Sequence, residues 1–459
     1  MSVDTVIAGG TVVSPSSTFD AAVAVDDGMI VAVGDARDLS DADTRIDATG
    51  QLVMPGIVDP HVHIDDHVSI DSYRTATSAA ALGGVTTVID FAWQAYEGEE
   101  SPWDDPAPLA EGVERKRDNH REALVDFGLH GGILREGDDL FAEIPELVEA
   151  GVTSFKMYTA YEFGVSNGYL RRVFDALAEQ GAVGVVHTED DSVCQSLVSE
   201  LRAAGKDAPE EYPRSRPDYA EAMAAEDAVR IATEAGAKYY GVHTSSKKAA
   251  AAIAGFRDDG SRVRAETCTH YATLDESIHR ELGNLPKIAP PIRSPDDVDA
   301  MFEFLRRGVL SVVSTDHVAQ RRSSKENRPW WEGPYGANGL QASLPVFHDE
   351  AVNERGLSYP ALVRLMSTNP AETFGLPGKG TLDPGTDADI VLLDPEATAT
   401  ITAEDNASEA DYSIYEGREV TGQVTKTLVR GEVVAEDGAI VGDPGHGEFV
   451  EREIPDWSA

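Results

Sequence analysis

Six side chains of this 459-residue chain have the types and placing of metal ligands: His61, His63, Lys156, His187, His243 and Asp316. The first two stand one residue apart in VMPGIVDPHVHID, at the end of an apolar run. In an extended chain successive side chains face opposite sides, so Asp59, His61 and His63 share one face while Val58, Val62 and Ile64 share the other. That face suits a divalent cation, yet two histidines at this spacing read equally well as polar residues closing a strand. The rest of the chain supplies the missing donors. Lys156 lies in TSFKMYTAY, His187 in VGVVHTED, His243 in YYGVHTSS and Asp316 in LSVVSTDH, each in or just after a later apolar run. Taken singly, a strand-end His beside Ser and Thr is a satisfied polar residue, and an Asp before a loop is a cap or turn residue. Their joint occurrence at the corresponding ends of five runs points to one shared centre. Three histidines would make a mononuclear set; four histidines, an aspartate and a lysine point to two cations.

A fold must bring these positions together. Between residues 56 and 320 short apolar runs alternate with amphipathic stretches, and eight runs can be counted: 57–63, 85–91, 125–133, 153–159, 183–187, 239–243, 262–267 and 310–315. The intervening segments, such as YLRRVFDALAEQ at 169–180 and DDVDAMFEFLRRG at 296–308, carry apolar residues at helical spacing. Alternating strand and helix implies parallel strands, and eight of them predict a closed (β/α)8 TIM-like barrel, with an open doubly wound sheet as the other arrangement. In such a barrel the C-terminal strand ends converge on one site.

The two ends of the chain read differently. MSVDTVIAGGTVV and GMIVAVG at the start, and DADIVLLDP and VTKTLVRGEVV near the finish, are β-rich with Gly or Asp at their turns. Neither end has enough apolar surface to fold alone. They are expected to meet in one small β domain, residues 1–55 and 384–459, beside a barrel of residues 56–383. Polar, Pro-bearing stretches at 97–109, 205–217 and 321–338 read as excursions from the barrel, and the last, with Trp330, Trp331 and Tyr335, is a candidate pocket wall. The tail GDPGHGEFVEREIPDWSA reads either as an arm to a neighbouring subunit or as a disordered acidic end.

Composition excludes several classes of function. Against 38 Lys plus Arg stand 81 Asp plus Glu, a formal charge of -43, so nucleic acid and anionic membrane are not expected partners. Only ten of the basic residues are lysines, and such an acidic, lysine-poor surface resembles those of proteins from salt-saturated cytoplasm. The start lacks a basic segment with a cleavage site, and no apolar run approaches the ~18 residues that cross a bilayer, so a soluble, cytoplasmic protein is expected. Two cysteines, Cys194 and Cys268, are too few for a disulfide framework.

With these motifs in view, the chain resembles the cyclic amidohydrolases, particularly the dihydropyrimidinase or D-hydantoinase family. DPHVHID, TSFKMYTAY, VHTEDD, AETCTHY, APPIRS and STDH recur in the family's order over nearly the whole chain. The resemblance implies two divalent cations, zinc first, and an N6-carboxylated Lys156. One cation would take His61, His63, Lys156 and Asp316, the other Lys156, His187 and His243. It also implies hydrolytic opening of a cyclic amide, a dihydropyrimidine or hydantoin ring, by a metal-bridging hydroxide. Asp316 would move the proton, and Tyr161 would donate a hydrogen bond to the oxyanion. Main-chain groups near Ala289 and Asn338 would hold the ring, and the assembly would be a homotetramer.

Some positions depart from that pattern. Ala289 stands where the family more usually has Ser, and Gln341, where hydantoinases commonly carry an acidic residue, looks more like allantoinase. ALGGVTTVIDFA and YEGREVTG resemble the dihydropyrimidinase branch, while Asp65 stands where dihydroorotases have an Arg that suits a carboxylated ring. Allantoinase is therefore the alternative substrate assignment. A non-catalytic assembly protein of the same fold is the alternative of another class, although such relatives have lost ligands and all six positions are filled here.

Overall fold

The apolar runs become eight parallel strands, which run in chain order as Ile57–Asp59, Val85–Trp93, Asp126–Gly132, Ser154–Tyr158, Val183–His187, Lys238–Gly241, Val263–Cys268 and Val312–Ser314. They are seen in a computed structural model that describes residues 3–37, 39, 42–98, 101–103, 105–257 and 262–457. Residues 99, 100 and 104 of the first excursion and the last two residues of the tail lie outside the described residues. The eight strands are hydrogen-bonded neighbours in sequence order, so each returns parallel to the last through a helical crossover. The first and eighth meet through short extensions, where His317 pairs with Val62 and Val318 with His63. Just below that seam the Asp59 carboxylate accepts from the Thr315 hydroxyl at 2.6 Å and from its backbone N–H at 3.3 Å. The expected closed barrel is thus observed.

Parallel strands buried on both faces need apolar residues throughout, and all nine residues of Val85–Trp93 are buried. Val58, Ile89, Val183, Val185, Tyr240 and Val312 form a cluster from several strands, closed off by Phe374, Leu376 and Trp457. Outside, helix Asn167–Gln180 buries Tyr169, Leu170, Val173, Phe174 and Leu177, a stripe at helical spacing. Ser166 caps its start by accepting from Tyr169 N–H, and Gly181 ends it at φ 68°, where a side chain would be strained.

Both ends of the chain share one seven-stranded sheet. Ile390–Thr400 runs antiparallel to Leu52–Pro55, with Ile390 opposite Pro55 and Val391 opposite Met54. A four-stranded sheet containing Val3–Ala8 covers it, and Ile7, Val23, Val25 and Ile30 pack against Val53, Ile390, Leu392 and Leu428. This is the small β-sandwich formed from the two termini.

The tail does not behave as a disordered acidic end. Its described residues lie along the barrel of their own chain, where Val450 N–H donates to Phe127 O at 2.8 Å and the Trp457 indole to Thr373 O at 3.1 Å. Arg452 is buried beneath the barrel, donating to Ser154 Oγ at 2.8 Å and to the Leu129 carbonyl. Cys194 and Cys268 are free and buried. No helix among the described residues is long and apolar enough to cross a membrane.

Candidate metal centre

Each ligand candidate is positioned by the same local rule, a parallel strand delivering its last residues to the barrel mouth and handing over to a loop or helix. His187 is the last residue of its strand, and two residues on from it Glu189 precedes Asp190, which caps helix Asp191–Ala203 by accepting from Val193 N–H at 2.9 Å. His243 follows its strand by two residues, and Ser246 caps the next helix. The motifs VHTEDD and VHTSS are therefore a ligand candidate and a helix cap fused. His61, His63, Lys156, His187, His243 and Asp316 all line one cavity of about 670 Å³ at this mouth.

Within it, Asp316 Oδ1 lies 3.1 Å from His61 Nε2 and 3.4 Å from His63 Nε2. His187 Nδ1 and His243 Nε2 face each other at 2.8 Å. Donor atoms of His61, His243 and Asp316 all fall within 4.8 Å of one another. Lys156 is buried, its ammonium 5.1 Å from the ring centres of both Phe91 and Tyr158. His61 Nε2 is buried without an aligned hydrogen-bond partner despite its closeness to Asp316. Three residues around the cavity and its rim hold the left-handed backbone conformation that non-glycine residues avoid: Tyr161 at φ 74°, His243 at 36° and Asp316 at 48°. Such conformations cost about 1–3 kcal/mol each and gather where side-chain aim matters more than local comfort.

Carboxylates behind the histidines set which ring nitrogen faces the cavity. Glu266 Oε1 accepts from His61 Nδ1 at 2.5 Å and from His243 N–H at 3.0 Å, while Oε2 accepts from the Tyr240 hydroxyl at 2.8 Å. An ionised carboxylate only accepts, so His61 carries its proton on Nδ1 and turns the Nε2 lone pair inward. Glu189 does the same for His187, accepting from Nε2 at 2.9 Å, and is itself paired with buried Arg216 at 2.5 Å. Sequence reasoning missed Glu266, Glu189 and Arg216 as functional residues. One signal was available for the first: a carboxylate in the middle of a barrel strand, VRAETC, is costly unless something accepts its company.

Electrostatics agree with this picture. Burial pushes the Asp316 carboxyl up, but the imidazoles of His61 and His63 close against it, with His243 beyond, outweigh it and hold it well below the usual range. Burial pushes the Lys156 ammonium down to about 8, against the pull of Asp316 and Glu266. His243 is lowered by burial and then by His187, keeping a neutral, lone-pair-bearing ring. The Tyr161 phenol is raised well above its ordinary value by burial, so it stays a donor.

Of the remaining candidates, Tyr161 lines the cavity, its ring 5.1 Å from that of His187. Ala289 also lines it, joined to Pro290 by a cis peptide. Asn338 does not: with Gln341 it lines a second cavity, between the barrel and the small domain. Gln341 donates to Asp405 O at 2.8 Å and accepts from Ala407 N–H at 2.9 Å, so its side chain meets the 405–407 loop rather than the central cavity. Asp65 is exposed and has a φ of 48°. In the 321–338 excursion Trp331 and Tyr335 face the cavity, as expected of a pocket wall, whereas Trp330 is buried, its indole donating to Lys206 O at 2.7 Å. Gly336, at φ 115°, lets that loop close down, since a Cβ there would come within 2.4 Å of Val318.

Residues 52–434 match the model of the Amidohydrolase family. A D-hydantoinase of Ralstonia pickettii is 35% identical over 98% of this chain and 99% of its own. An allantoinase of Escherichia coli O1:K1 / APEC is 34% identical over 95% of each. The crystal structure of a dihydropyrimidinase from Brevibacillus agri NCHU1002 superposes with a TM-score of 0.93 at 32% identity, covering 98% of this chain and 99% of the other.

Proposed function

The chain belongs to the amidohydrolase family, and from that premise we propose that it is a hydrolase that opens a cyclic amide or ureide ring at a centre of two divalent cations. The observation that carries this reading is the meeting of six donor side chains from five strands in one buried cavity. The donor set suits such a centre: inward lone pairs on His61 and His187, an ionised Asp316, and a buried nitrogen of His61 without an aligned partner.

His61, His63, Lys156 and Asp316 would hold one cation, and Lys156, His187 and His243 the other. Zinc is the first choice for imidazole and carboxylate donors, with manganese, iron or cobalt also compatible. When bound, such cations lower the pKa of a water and polarise the carbonyl under attack. For Lys156 to serve both, its neutral amine joins carbon dioxide, an N–C bond forming as one proton leaves. Burial favours that neutral amine.

Asp316 accepts the proton of the attacking water and returns it to the ring nitrogen, which leaves poorly as an anion. Tyr161 keeps its phenolic proton and donates it in a hydrogen bond to the oxygen that becomes negative. Main-chain groups at Ala289, which lines the cavity, would hold the ring edge, whereas Asn338, beside the second cavity, is not given that role. Hydantoin or a dihydropyrimidine is the first substrate reading. Allantoin is the second, favoured by the near-equal identity of the allantoinase relative. We assign the enzyme to the cytoplasm as a homotetramer, on the resemblance alone, and light scattering of the purified protein tests the assembly.

The deciding experiment supplies bicarbonate and zinc to the purified enzyme and follows the ring opening of hydantoin, dihydrouracil and allantoin. Turnover of one or more is expected, and the order of kcat/KM picks the branch. A metal-replete protein inert to all three would instead support the non-catalytic assembly role.

A further inference from the structure

Three buried cations stand in or near the cavity wall, and they are satisfied in different ways. Arg216 has its carboxylate, Glu189. Lys325 has no carboxylate, but its three donors meet the carbonyls of Leu285, Lys287 and Gly336, which ties the pocket loop to the 285–288 segment. Lys287 is 1% exposed and lines the cavity, yet its ammonium reaches one acceptor, the Gly333 carbonyl, and otherwise lies 4.1 Å from the ring centre of Tyr335. It forms no ion pair among the described residues, although Glu332 lines the same cavity. An ammonium has three donors, and a buried one left short of acceptors and of counter-charge is costly. Burial, and then Arg216, push it down to about 7, a cost that an anion beside it would remove.

Its position says what that anion belongs to. A run of ring contacts leads from the ligand candidates to Lys287: Tyr161 is 5.1 Å from His187, Tyr335 is 6.1 Å from Tyr161, and Lys287 lies over Tyr335. A group that reaches Lys287 is therefore a substituent of the ring being opened, not its scissile amide. With a chain charge of -43, such a local cation favours the entry of an acidic substrate.

We propose that Lys287 is a specificity residue that receives the carboxylate of a side group on the ring, so that the preferred substrates are cyclic amides or ureides carrying an acidic substituent. The proposal rests on the ring-opening reading above, and its test separates the two. The probes are hydantoin, 5-(2-carboxyethyl)hydantoin and its 2-carbamoylethyl twin, equal in size and differing in charge. Wild-type enzyme should favour the acid over the amide in kcat/KM by about tenfold to a hundredfold, the worth of one charge-assisted hydrogen bond. Lys287→Met should bring the ratio near one, mainly by raising KM for the acid, and Lys287→Arg should keep most of it. A wild-type ratio of one or below, or an unchanged ratio in a folded Lys287→Met, overturns the assignment while hydantoin turnover stands. Should Lys287→Met not fold, the wild-type and Lys287→Arg ratios decide. If no probe is opened by metal-loaded enzyme, the ring-opening reading falls and this proposal falls with it.

Discussion

Replacing Glu266 by Gln is the most searching perturbation of the centre, because it removes no proposed ligand and yet acts on the two it is hydrogen-bonded to. Glu266 accepts three hydrogen bonds, from His61 Nδ1, His243 N–H and the Tyr240 hydroxyl, with 0% of its surface exposed. Gln keeps the shape but replaces one oxygen by a donor, so either His61 or Tyr240 must face a donor instead. If the amide oxygen stays on Tyr240, His61 is driven to the other tautomer and turns a protonated Nε2 towards the cavity. If the oxygen stays on His61, a charge-assisted bond becomes a neutral one. Bonds to charged groups contribute about 1.5–3 kcal/mol, and loss of an outer carboxylate typically weakens metal binding by about 10–100-fold. The assay is a competition titration of metal-free protein with zinc against a chelator of known affinity, with circular dichroism to confirm the fold. A Zn2+ affinity within twofold of wild type, in folded protein, would refute the claim that this carboxylate sets the His61 lone pair.

Lys156→Ala should lose both cations and all activity, since the shared carbamate is gone, whereas Asp316→Asn should keep more metal than activity and drop kcat by about 10²–10⁴-fold; metal analysis beside kinetics on the two variants checks the contrast. With the bicarbonate adjusted to keep dissolved carbon dioxide equal, loading of metal-free enzyme should be faster at pH 9 than at pH 7, because Lys156 must be neutral to take up carbon dioxide and its ammonium, lowered to about 8, loses its proton across that interval. Activity regained with time after adding zinc and bicarbonate measures this. Melting temperature should rise with salt between about 0.1 and 1 M, where the screening length falls from about 10 to 3 Å and the repulsion of a -43 chain is quenched. A flat or falling curve would show that exposed ion pairs dominate.

Much of this arrangement could be read from residue order. A barrel needs eight apolar runs with helices between, and such a pattern survives in a linear string because burial on both faces demands it. The meeting of the six ligand candidates in one cavity was legible for the same reason: polar residues at the downstream ends of parallel strands have one common mouth to face. What lay beyond reach depended on direction in space. The glycines on either side of Asn338 mark a turn but not which of two cavities it lines, and it lines the one beside the small domain. Gln341 reads as a mark of the allantoinase branch, and its amide ties down the 405–407 loop. The tail reads as an acidic, polar end, yet buried residues within it, among them Arg452 and Trp457, anchor it against the barrel. Lys287 and Lys325 are equally silent in sequence, since nothing in NLPKIAPP or SSKENR says that an ammonium will be buried.

The most direct test is to crystallise zinc- and bicarbonate-supplied protein and collect anomalous scattering at the zinc edge. Two strong peaks inside the cluster of His61, His63, His187, His243 and Asp316, bridged by density extending from the Lys156 nitrogen, are predicted. Peaks elsewhere on the chain, or an unmodified Lys156 with no bound zinc beside those histidines, would contradict the account.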